Sequence, residues 1–133
     1  IVSNTNEAPP PMDVSLEGDK IRIPLSPEVY QKFLNLNQSL EARALLISMI
    51  YIPALIHTIG EIRVAGNKYE LNDRRWFRVL NKRFSDLGVD LMRLDENTDS
   101  DVVLAARLLD DPITLALGDL EEALSTMGDD DDE

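Results

Sequence analysis

The sequence contains no cysteine, one histidine and one tryptophan, and aromatic residues make up only 5% of it. Without cysteine there is no disulfide framework, thiolate metal site or thiol nucleophile, a composition that fits a reducing compartment. A single histidine, His57, with Glu61 one helical turn later, makes neither a zinc site nor a catalytic triad. No Gly-rich phosphate loop, nucleophile elbow or HExxH signature occurs, so no cofactor or metal is expected and an enzyme is not the favoured class. Lysine and arginine are absent beyond Arg107, and the chain closes on the acidic run Asp129–Glu133. That run lacks the turn glycine and alternating ligands of a calcium loop. The longest apolar stretch, Ala44–Ile56, is bounded by Arg43 and His57 and is expected to be too short for a membrane span of roughly 18 residues. With no signal peptide visible, the expectation is a soluble cytoplasmic protein.

What is present is a core. The segment ALLISMIYIPALI shows no polar stripe, so protein should cover it on nearly all sides. At 133 residues and 44% hydrophobic the chain is long enough for one domain without staples. Residues 1–12, with Pro9, Pro10 and Pro11 and no initiator methionine, read as a linker or tail from a longer chain, 13–127 as a single helical domain, and 128–133 as an acidic disordered tail.

The expected fold is mainly α, four to six helices with an N-terminal β-hairpin. Met12, Val14 and Leu16, then Ile21, Ile23 and Leu25, alternate with polar residues about the turn Glu17–Gly18–Asp19. Pro24 lacks a ladder donor, which puts its strand at an edge or ends it early. Ser26–Pro27–Glu28 starts a helix presenting Val29, Tyr30, Phe33 and Leu34, and Ser39 caps the next, with a kink or break near Tyr51 or Ile52 ahead of Pro53. Residues 61–71 suit either the end of that helix and a loop or a second hairpin, the former preferred. Asn72 should cap a helix over 73–87 closed by Gly88, Thr98 or Ser100 one bearing Val102 and Val103, and Asp111 one with the stripe Ile113, Leu117, Leu120 and Leu124 that runs to Gly128.

Two surfaces stand out. Arg63–Arg93, with eight basic residues against four acidic ones, is the one basic region in a chain of net charge −12, and within it Arg74, Arg75, Arg78 and Lys82 share a face of helix 73–87. The plain reading is a solvated face paired with Glu70, Asp73 and Asp86; the functional one is a regulatory, nucleic-acid-associated module. Trp76 and Tyr51 are further interaction candidates, Trp76 also reading as a core anchor. The favoured reading is a non-enzymatic protein-protein interaction or oligomerisation module, with a second copy covering the apolar excess of residues 44–62 as a homodimer.

Overall fold

The computed structural model describes residues 1–131, with side chains described as far as Ser125; residues 132–133 of the expected acidic tail lie outside the described residues. The chain is mostly helical, as expected, and has seven α-helices among the described residues. They are α1 (Pro27–Leu36), α2 (Leu40–Leu46), α3 (Ile52–Val64), the single turn α4 (Lys68–Leu71), α5 (Arg75–Asp86), α6 (Asp101–Leu108) and α7 (Pro112–Asp131).

The apolar stretch forms the axis of the molecule. Between α2 and α3 lies a π-turn, Ile47–Tyr51, in which the Ile52 amide donates to the carbonyl of Ile47, five residues back. Pro53 has no amide to offer and its ring crowds the preceding turn, and a widened turn relieves both effects without ending the helix. Leu40–Val64 is therefore continuous over 25 residues, and by length and composition alone it could cross a membrane, which the sequence reading had excluded by stopping at His57.

Here its inner face is packed against protein. Ile52, Ile59 and Ile62 join Trp76, Phe77, Leu80, Phe84, Leu91, Leu94 and Leu104 in the larger core cluster. Leu46, Ile50 and Ala54 join Ile23, Leu25 and Phe33 in a second one. One helix thus serves two cores, which is why its sequence carries no polar stripe. Thr58, fully buried in this helix, returns its hydroxyl proton to the Ala54 carbonyl at 2.8 Å and so leaves no donor unpaired.

The N-terminal ribbon departs from a simple hairpin. Met12–Ser15 and Arg22–Leu25 do run antiparallel, but only through isolated bridges, Met12 to Leu25 and Ser15 to Arg22. The regular pairing is parallel, between β1 (Val2–Ser3) and β2 (Pro24–Leu25). Val2 N–H donates to Ile23 and Asn4 N–H to Leu25 on one side, while Asp13 N–H donates to Pro24 on the other. Pro24 is thus flanked on both sides rather than sitting at an edge, and its missing donor leaves the antiparallel side one bond short of a ladder. Val2 and Ser3, within the segment expected to be linker, provide the parallel strand.

Several helix starts differ from the sequence reading. Ser26, Ser100 and Asp111 cap α1, α6 and α7, accepting from Val29, Val103 and Thr114. Ser39 makes no side-chain cap, and Asn72 ends α4 instead of opening α5. The chain between Val64 and Arg75 is loop and single turn, so the second hairpin does not form. Gly88, at φ +80°, closes α5 in the left-handed conformation that glycine adopts without strain. The last helix continues through Gly128 to Asp131, beyond the expected stop.

Candidate interaction site

The basic helix is built by a contact that its own sequence does not contain. Arg74 occupies the N-cap position of α5 with no side-chain cap of its own. The first amides of α5 are satisfied instead by the turn of the N-terminal ribbon: the Asp19 carbonyl accepts from Trp76 N–H at 3.1 Å, and its carboxylate faces Arg75 N–H at 3.4 Å. A carboxylate there also favours the positive end of the helix dipole. The Leu16 carbonyl takes both the Trp76 indole N–H, at 3.1 Å, and an Arg74 guanidinium proton, at 2.9 Å.

These contacts divide the predicted basic residues. Trp76 is buried, 6% exposed, and belongs to the core, which removes it from any recognition surface. Its position three residues before Val79 and four before Leu80 puts it on the apolar side of the helix. Arg74 is half-buried and committed to the ribbon, while Arg75, Arg78 and Lys82 are exposed. Among the described residues no ion pair joins them to Glu70, Asp73 or Asp86; Arg78 donates to the Asn72 carbonyl at 2.9 Å. The cleft beside them, about 640 Å³, is lined by Arg78 and Lys82 but also by Asp86 and Asp90, a mixed charge set that does not select an anion.

His57 and Glu61 are both exposed, and no cluster of three or more metal-ligating side chains occurs among the described residues.

A second surface is apolar. A groove of about 420 Å³ opens between α1 and the α2–π-turn segment, lined by Val29, Phe33, Leu36, Leu45, Met49 and Ile50. Its floor is core, Phe33 and Ile50 being buried, and its lips are open: Leu36 is 46% exposed and Met49 62%. Tyr51, on the same π-turn, is at the boundary of exposure, and partial burial holds its phenol above the ordinary range. On α7 the expected stripe is present at helical spacing but faces water, with Leu117 62%, Leu120 45% and Leu124 59% exposed. The helix instead meets α2 and the π-turn, its buried residues among the described side chains being the small Pro112 and Ala116. Similarly, Val102 and Val103 of α6 are half exposed, while Leu104 and Ala105 turn inward.

Sequence reasoning missed Arg63. From the end of α3 its guanidinium donates to Asp101 Oδ1 at 3.0 Å, to the Leu94 and Asn97 carbonyls at 2.8 and 2.9 Å, and to the Asp99 carbonyl at 2.9 Å. It straps the loop between the 3₁₀ turn Leu91–Glu96 and α6 onto the long helix. Arg107 supports the same loop through Asp99 and places a second proton on the Leu87 carbonyl, where α5 ends. Nearby, the hydrogen bond from the Lys68 ammonium, at 2.8 Å, holds the Asp95 carboxyl below the usual carboxylate range. All of these are scaffold contacts. No family model matches the chain, and no curated protein or solved structure matches it.

Proposed function

We propose that this chain is a non-enzymatic protein-protein interaction module that associates with a second copy of itself. The observation that carries the reading is the apolar surface left open on the two elements bordering the long helix, the lips of the α1–α2 groove and the leucine stripe of α7. Single exposed leucines are ordinary, whereas an open groove with an apolar floor, together with an apolar helix face, is the composition of a contact surface. Twofold association is the commonest way for a chain to cover such a surface. The polar candidates support no chemistry of comparable weight, since His57 and Glu61 lie in solvent and the exposed arginines share their cleft with carboxylates.

Sedimentation equilibrium between micromolar and hundred-micromolar concentration tests the reading. A mass of twice 15.0 kDa is expected at the upper end of the range. Met49→Lys, placed on the lip of the groove where it costs the monomer little, should weaken association by about tenfold, the equivalent of about 1.5 kcal/mol of lost apolar burial. A 15.0 kDa species at every concentration would end the proposal.

A further inference from the structure

Among the described residues, Ala8 aside, the non-glycine residues of positive φ are found in the connection between α6 and α7. Asp110 and Asp111 are consecutive and both left-handed, at φ +58° and +50°. Asp110 has a local reason for this: its amide donates to Arg107 and the Asp111 amide to Ala106, the paired bonds that close a helix end, in the position where glycine is normally found. Asp111 has none. It precedes Pro112, and the proline ring favours an extended conformation for the residue before it. Both aspartates thus adopt a conformation that L-residues resist so that α7 can fold back beside α2.

Among the described residues α7 meets α2 more extensively than any other two elements meet, through small side chains. Among its described side chains, α7 buries only Pro112 and Ala116, while its leucine stripe remains half open. A terminal helix joined by a short strained hinge to a seat that a second copy duplicates is the arrangement from which identical chains exchange elements. Relaxing Asp111 to the extended state swings α7 away from its own α2. The seat it vacates is complementary to another α7 by construction.

We infer that self-association proceeds by exchange of α7: in the dimer each copy's α7 lies on the α2 and π-turn of the other, and the Asp110–Asp111 hinge is open. The inference rests on the self-association proposed above and names its mechanism. It places control of the dimer in two hinge residues that do not line the groove. The exchanged contact repeats the one already present within the monomer, so the hinge strain and the protein concentration set the balance between the two states.

The hinge can be altered without touching the exposed apolar surface. Asp110→Gly with Asp111→Gly relieves the left-handed strain in the closed form and should weaken dimerisation by at least tenfold. Asp110→Ala with Asp111→Ala raises that strain and should shift the equilibrium the other way by a similar factor. Both pairs are compared with the wild type by sedimentation equilibrium, with circular dichroism verifying that each retains its helix content. Opposite shifts support exchange. A dimer whose dissociation constant is the same in all three proteins overturns exchange while leaving face-to-face self-association intact. A monomer in all three overturns both. If one pair fails to fold, mixing two differently labelled wild-type samples supplies the answer: exchange requires α7 to leave its seat, so mixed dimers should form over minutes to hours, and complete mixing within seconds refutes it.

Discussion

Arg63 shows how one side chain can organise a loop that has no core of its own. The segment from Leu94 to Asp101 is polar and runs across the surface, and its carbonyls would otherwise turn to water. Three of them, with the Asp101 carboxylate, converge on a single guanidinium. Lysine cannot reproduce this, because a point charge lacks the planar fork that reaches four acceptors at once. Arg63→Lys should therefore cost about 1–2 kcal/mol and Arg63→Ala about 2–3 kcal/mol, values held down by the partial exposure of the pair with Asp101. Urea denaturation followed by circular dichroism measures both. Equal stability of the lysine variant would mean that charge alone holds the loop. None of this was visible from composition, where Arg63 was simply one of thirteen basic residues. A fork of carbonyls leaves no mark on the sequence, because every residue has one.

At the scale of elements, the legible parts were those whose causes are local. Ser26–Pro27, Ser100 and Asp111 cap the helices they precede, and Gly88 closes the helix before it, since each signal acts within a turn of its own position. The start of α5 was misread for the opposite reason. Asn72 offered a local cap, but α4 uses that residue at its own end, and the cap of α5 arrives from Asp19, 56 residues away from the amide it faces. Asp19→Ala removes the carboxylate and leaves the backbone bond to Trp76, so a loss of about 0.5–1 kcal/mol is expected. Because the contact joins two elements, hydrogen exchange should accelerate at both the first turn of α5 and the ribbon turn Leu16–Asp19. Acceleration in α5 alone would show that the ribbon holds its place without the cap. The leucine stripe of α7 was similarly legible as a period but not as a direction: spacing reports which residues share a face, while the small side chains of Pro112 and Ala116 decide which face comes in.

For the whole molecule, the sequence identified the middle of the chain as core, and Leu46 and Ile50 are buried as that reading requires. It did not foresee that there are two cores. A stretch that is apolar on all sides suggests excess surface, yet much of the circumference of Ala44–Ile62 is taken up by two separate clusters and by α7. The surplus that supports association is correspondingly smaller and more specific, comprising Leu45, Met49 and the stripe of α7. The basic residues were legible as a face, and the part of that face that remains open, Arg75, Arg78 and Lys82, is what survives once the ribbon has claimed Arg74 and the core has claimed Trp76.

The π-turn gives the long helix a place where its count is not fixed. A π-turn holds one residue more than the α-helical path needs, so taking a residue out at this point returns the helix to ordinary winding while both flanking halves keep their bearings. Ser48 is the natural choice, as its buried hydroxyl oxygen has no hydrogen-bond partner among the described residues and carries a standing desolvation cost of about 1–3 kcal/mol. Deleting Ser48 together with Pro53→Ala should leave a folded protein with its thermal midpoint within a few degrees of the parent. Deleting Leu55 instead rotates everything downstream by about 100° and should abolish the cooperative melt. If the two deletions do equal harm, the spare residue is a necessity of the packing. If they differ as expected, the helix carries a built-in tolerance for a change in length at the junction between its two cores.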